Sequence, residues 1–264
     1  MPPGPKPLSP PPPGQSSGQS IAEVCRRMDL LLQRFDRAGD YRAVFLRSYR
    51  TITGAMQEAV SAGRFADPRW VADLDVAFAQ EYFDALDGFE AGRPIPRCWQ
   101  LALDLDARRR TTVLDDLVLG MNAHIVHDLP VALWKLGLGG TRAARQQDYT
   151  RVDDLLAGRI DGVQRQIGRH YSLCLWLLDH ATGRFDELYT DVRLRAARAR
   201  AWSDGLALID AADPASRGAL LAELDTRACD ADRPWRVAAS VEPPWLGQWI
   251  RRADRWLARS WWRR

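Results

Sequence analysis

Two of the four histidines in this 264-residue chain lie in one short segment, GMNAHIVHDLP, residues 120–130. They are His124 and His127, and Asp128 follows directly. Imidazoles one helical turn apart can hold a divalent metal, with carboxylates from a neighbouring helix completing the shell. Alternatively, Asp128 can orient one imidazole as an acid or base near neutral pH. A third use is structural: a satisfied His–Asp network that fixes helix register. Spacing alone leaves all three open. The pattern is not H-E-x-x-H, because the glutamate is missing and the spacing differs by one.

On an α-helix at about 100° per residue, take His124 as zero. Asp128 then lies at about +40°, Gly120 at about −40°, His127 at about −60° and Asp116 at about −80°. These residues share one stripe, and Gly120 removes a side chain from the middle of it. The space beside Gly120 would suit a ligand, a water or another helix. Asn122 points to the opposite side.

The helix carrying these groups is expected over about 111–136, with Pro130 kinking or splitting it. Val113, Leu117, Val118, Met121, Ile125, Leu129 and Leu133 leave almost no polar face, the mark of a helix buried in a core. Other helices follow from local signals. The sequence SIAE at 20–23 is a capping box, opening a helix to about Asp36. A second runs from after Asp40 to near Gly63. A third starts at Pro68, well placed at a first helical position. Gly92, Pro94 and Pro96 break the chain before a short helix over 99–106. Further helices are expected over 144–166, 169–181, 184–211 and 214–229, the last opened by Asp213-Pro214. No alternating β-branched runs or Asn-Gly turns argue for strands. The fold class is all-α: a single-domain helical bundle, residues 20–264, around a buried central helix.

Partners for the histidines are sought on the neighbouring helices. Asp75 and Tyr82 are seven residues apart and so share a face of the third helix. Asp75 sits among Leu74, Val76 and Phe78 and is expected to be at least partly buried, whereas Asp73, Glu81 and Asp84 are expected to be solvated. Asp148, in QQDYTRVDDLL, fits a helix N-cap or a supporting carboxylate. Arg198 and Trp202 lie one turn apart, an arginine beside a core tryptophan.

Composition sets outer limits. Lys and Arg number 37, Asp and Glu 34, for a net charge of +3 that favours no nucleic-acid partner. No G-x-G-x-x-G or G-K-[ST] suggests a nucleotide cofactor. The four cysteines are scattered, with no C-x-x-C, as expected of free thiols in a reducing cytoplasm. No apolar run is long enough for a transmembrane helix, and the first residues lack the apolar core of a signal peptide. Residues 1–19, rich in Pro, Gly, Ser and Gln, are expected to be a disordered tail. Residues 244–262 are expected to form a Trp/Arg amphipathic helix. It would either dock on the core or lie on a membrane surface.

The segments LDVAFAQEYFDAL, GMNAHIVHDLP, DYTRVDDLL and ARARAW occur in the order seen in a bacterial family of unknown function, numbered 5995, which the chain resembles over roughly residues 20–240. The resemblance implies a shared helical fold. It places Asp75, Tyr82, Asn122, His124, His127, Asp128, Asp148 and Arg198 at the family's characteristic positions. Val126 departs from it, standing where a polar Asn is expected, as does Asp153 or Asp154 where Val-Asn is usual. The family supplies no reaction or cofactor.

The expected function is therefore a helical enzyme acting on a small, largely apolar molecule by His–Asp acid–base or metal-assisted chemistry. His124, His127 and Asp128 would form its centre, and would be the ligands if a divalent metal is the cofactor. The alternative is a non-catalytic helical binding protein, with the C-terminal helix contacting a membrane or partner.

Overall fold

A computed structural model describes residues 19–104, 113–171 and 191–230. The expected N-terminal tail, up to residue 18, and the expected helix over 244–262 lie outside these residues. Among the described residues every regular element is helical: α1 (Ile21–Ala38), α2 (Arg42–Ser61), α3 (Pro68–Glu90), α4 (Arg97–Leu103), α5 (Val113–Asn122), a π-helical segment (Ala123–Asp128), α6 (Leu129–Leu136), α7 (Arg142–Tyr171), α8 (Asp191–Asp210) and α9 (Pro214–Asp230). The all-α class stands.

Local signals set most of the ends. Ser20 accepts from the Glu23 amide while Glu23 accepts from the Ser20 amide, so the capping box forms as read. Gly39 ends α1 at φ 61°, a left-handed position that costs glycine nothing. Asp67 caps α3 just ahead of Pro68. Asp213 accepts from the amides of Ala215 and Ser216 at the start of α9. Two expectations change. The short helix starts at Arg97 and ends at Leu103. The break expected near residues 167–168 is absent, and α7 runs on to Tyr171.

The central helix is buried as its composition requires: Leu117, Val118, Ala123, Leu129, Ala132 and Leu133 are all in the core. The chain stays helical through Pro130. Its ladder widens just before the proline, where the Leu129 amide bonds back to the His124 carbonyl, five residues away. Proline has no N–H, and its ring crowds the carbonyl four residues back, here Val126. A π turn relieves that clash while keeping the helix continuous.

Two large apolar cores flank this helix, and a smaller one gathers Val131, Leu208 and Leu224. One large core joins α1, α2, α3 and α4 around Met28, Phe35, Leu46, Phe83 and Trp99. The other joins α3, α6, α7 and α8 around Trp70, Leu133, Tyr149 and Trp202. Phe78 of α3 packs against both. Close backbone approach locks the helices at two glycines. A Cβ on Gly205 of α8 would lie 2.9 Å from Leu133 of α6. A Cβ on Gly120 would lie 2.6 Å from the Phe45 ring. The gap expected beside Gly120 is thus filled by a side chain of α2.

Candidate functional site

The centre of the site is one carboxylate. Asp128 is 1% exposed and accepts three ring N–H bonds. His124 Nδ1 meets its Oδ2 at 3.0 Å, and His127 Nδ1 meets its Oδ1 at 2.9 Å. Trp99 Nε1 donates to both oxygens at 3.0 Å. The π turn changes the angles that a regular helix would impose, so His124 and His127 reach opposite oxygens of the same group.

Trp99 is held from a distance. No side chain of α4 caps its own N-terminus. Asp225 of α9 does so instead, accepting from the amides of Arg97 and Cys98 at 2.9 and 2.8 Å. Charge near a helix start is favourable, and the cap fixes the turn that carries Trp99.

The protonation states follow from these contacts. Burial pushes the Asp128 carboxyl up, but the bonds from both histidines outweigh it and hold it below the usual carboxylate range. Asp128 is therefore ionised, so each Nδ1 carries the proton it shares. Burial dominates at His124 and lowers its pKa, leaving the ring neutral with a bare Nε2. At His127 burial also opposes charge. There the Asp128 bond and the charges of Asp128, Asp225 and Glu81 prevail and raise the pKa.

The surroundings of the two rings differ as much. His124 is 3% exposed. Phe78 stacks on it at 3.6 Å between centroids, Tyr49 lies at 4.2 Å, and Phe45, Trp99 and Tyr82 close the box at 5.6, 6.2 and 6.4 Å. Its Nε2 is enclosed with no hydrogen-bond partner. His127 keeps 10% of its side chain at the surface. Since its Nδ1 faces a fully buried carboxylate, the accessible edge is the one carrying Nε2.

Among the other expected residues, Asp75 and Tyr82 do share the buried face of α3, with Phe78 between them. Burial pushes Asp75 up to about 7, against the pull of Arg198. Arg198 itself is buried rather than exposed. It pairs through Nε with Asp153 and donates to the Tyr149 carbonyl at 3.3 Å. Asp153, read from sequence only as a departure, is thus its counter-ion. Asp148 is neither an N-cap of α7, which starts six residues earlier, nor bonded to the histidines. It accepts from the Ala66 and Asp67 amides, both at 2.8 Å, and from Arg151 at 3.0 Å, tying the loop before α3 to α7. Asn122 bonds to none of the trio, and its buried Nδ2 has no partner. Glu81, expected to be solvated, is half-buried and paired with Lys135 at 2.7 Å. Burial pushes it up to about 7, with Lys135 opposing.

Among the described residues no group of three or more His, Cys, Asp and Glu is arranged to hold a metal ion. The two Nδ1 atoms reach only the carboxylate between them. Cys25 and Cys98 are buried free thiols, and Cys229 is half-buried. No described helix is long and apolar enough to cross a membrane.

The family of unknown function DUF5995 matches residues 21–233. The chain belongs to that family. The match spans every described helix, from α1 to α9, and so includes the shared carboxylate and both histidines. No curated protein and no solved structure matches the chain.

Sequence reasoning missed Trp99, Phe45, Tyr49 and Phe78. One signal was available for Trp99: a tryptophan in an apolar helix must find an acceptor for its N–H when buried.

Proposed function

We propose that this chain is an enzyme in which His127 acts as acid and base on a small organic molecule. The observation that carries this reading is the asymmetry between two imidazoles on one carboxylate. His124 is sealed and neutral, while His127 turns its Nε2 edge outward and favours its protonated form. Environments that drive two like groups apart in pKa are how a site assigns acid and base roles. Asp128 orients the His127 ring through Nδ1, so that proton transfer is confined to Nε2. His124 and Trp99 supply the other bonds that keep Asp128 fixed and ionised. Glu81 and Asp225 add negative charge around His127, which favours a neutral or cationic substrate over an anion.

The test is turnover. Purified protein is incubated with fractionated mixtures of neutral and cationic metabolites, and consumption is followed by mass spectrometry. A compound consumed by the wild type and untouched by the His127→Gln variant is the expected result. Equal consumption by both proteins, or none across the mixtures, would sink the proposal.

The closed packing around His124 favours a second reading: a binding protein whose His–Asp network only fixes helix register. In that case His127→Gln leaves every function of the chain intact.

A further inference from the structure

The edge of His124 away from Asp128 faces α2 and α3, and those helices meet there in an antiparallel ladder. Phe45 pairs with Tyr82 at 5.6 Å and Tyr49 with Phe78 at 5.9 Å. Positions rise by four on α2 while they fall by four on α3. The next rung brings Thr53 level with Leu74, so that Asp75 lies one residue from it and one helical turn from Phe78. Thr53 is fully buried and Asp75 is 8% exposed.

Four polar atoms along this ladder are enclosed without a well-formed hydrogen bond, His124 Nε2, Tyr49 Oη, Thr53 Oγ1 and Asp75 Oδ2, and the Tyr49 and Thr53 hydroxyls lie close to each other. Tyr49 lies at their centre. Its ring is 4.2 Å from that of His124, and Thr53 is one helical turn on. The charge of Asp75 reaches its phenol and adds to the effect of burial in raising its pKa. An unsatisfied buried polar group costs about 1–3 kcal/mol. Four of them would cost a large part of the roughly 5–15 kcal/mol by which a typical protein is stable. A partner shared between them would remove that cost.

The chemistry of the four atoms specifies it. His124 gives its only proton to Asp128, so Nε2 is an acceptor. Asp75 Oδ2 is an acceptor when ionised. The two hydroxyls can each donate. A water molecule donates two hydrogen bonds and accepts two, which matches this set; internal waters commonly make two to four such bonds. A terminal hydroxyl of a larger molecule matches three of the four.

We infer that Tyr49, Thr53, Asp75 and His124 form a binding site for a single water-sized hydroxyl. It donates to His124 Nε2 and, as water, to Asp75 Oδ2, and it accepts from Tyr49 and Thr53. The site stands whether or not His127 is reactive. It connects the His124–Asp128 pair to Asp75, whose charge in turn feels Arg198.

Two measurements on the full chain test it. A high-resolution crystal structure of the purified protein should show density within about 2.7–3.2 Å of at least three of the four atoms. An isolated peak identifies water, and density continuing into a larger molecule identifies a bound hydroxyl compound. Neither, with the four side chains turned to other protein partners, overturns the inference. The second measurement is the unfolding equilibrium of Tyr49→Phe and Thr53→Val. A shared guest predicts that Tyr49→Phe raises the unfolding constant about 5–10-fold, and that the two substitutions together do not add. A higher melting temperature in Tyr49→Phe means the hydroxyl was only a burden, and the inference fails. Turnover by the His127→Gln variant is read separately, so the two ideas fail independently.

Discussion

Two polar clusters lie buried in this bundle, and they are finished differently. Around Arg198, donors and acceptors close on one another. The guanidinium pairs with Asp153, donates to the Tyr149 carbonyl and lies 4.4 Å over the Tyr149 ring, while the Tyr149 hydroxyl donates to the Arg198 carbonyl at 2.7 Å. That ties α7 to α8 and leaves no buried side-chain polar atom of the cluster without a partner. Around Asp128 the carboxylate is equally well served, yet each imidazole is left with a second nitrogen unused by the protein. One cluster is a clamp. The other ends in ring nitrogens that can take or give protons. Burial of polar groups thus does not by itself mark a site; what marks it is unspent hydrogen-bonding capacity.

The largest effect is expected where the clamp is broken. Asp153→Ala leaves the Arg198 charge buried and uncompensated, and we predict a loss of about 3–5 kcal/mol in denaturant unfolding. Replacing both members, Arg198→Met with Asp153→Leu, should recover most of that loss, because the cost lies in the orphaned charge. A loss under about 1 kcal/mol for Asp153→Ala would mean the pair behaves as a surface ion pair. The contrast between the clusters would then fail.

Next comes Asp128→Asn. Two imidazole N–H groups and one indole N–H lose a charged acceptor, and we expect roughly 1–3 kcal/mol of destabilisation. The more telling readout is the His127 titration followed by NMR. Its folded pKa is raised mainly through Asp128, so its stabilising contribution is present below the unfolded-state pKa and is lost as pH rises through the folded value. Without the Asp128 charge, burial should win and the His127 pKa should fall to or below its ordinary value. An unmoved pKa would place the source of the shift at Glu81 and Asp225 instead.

Asp75 gives a pH prediction of the same sign for a different reason, burial rather than a charged partner. Its folded pKa is pushed up to about 7 by burial, so from about pH 4 to 7 the native carboxyl holds a proton that the unfolded chain has released. Stability therefore falls as pH rises through that window. Asp75→Asn should remove this slope, and the difference between the two stability curves should reach about 1–4 kcal/mol near pH 7. Glu81 titrates similarly in both proteins and cancels. Parallel curves would show that Asp75 ionises as though solvated.

What could be read from sequence here was local. Ser20 with Glu23, Asp67 with Pro68 and Asp213 with Pro214 each act within one turn, and each end fell where expected. That His124, His127 and Asp128 meet was legible for the same reason. Apart from the bounds of two helices, the failures involve distant partners. Trp99 reaches Asp128 across 29 positions. Phe45 fills the space beside Gly120, and nothing near Gly120 in sequence says which side chain will do so. Asp148 was given a role in its own helix, but its acceptors serve a loop about 80 positions earlier. Pro130 was a correct local signal of a disturbed ladder, expected as a kink or a split, and the structure meets it with a π turn inside one helical run.

The smallest change in stability is expected at His127, and it separates the two histidines most cleanly. His127→Gln keeps an N–H that can reach Asp128, and the side chain lost is partly at the surface, so we predict a cost of about 1 kcal/mol or less. His124→Gln removes a ring stacked at 3.6 Å on Phe78 and enclosed by four more aromatic side chains. It should cost several-fold more, about 2–4 kcal/mol, as other losses of well-packed core groups do. Thermal unfolding of the two variants side by side checks the ratio, and turnover gives it meaning. If His127 carries the chemistry, the variant that barely changes stability is the one that loses activity. If both variants lose stability equally and no activity depends on either, the Asp128 cluster is a clamp like the one at Arg198.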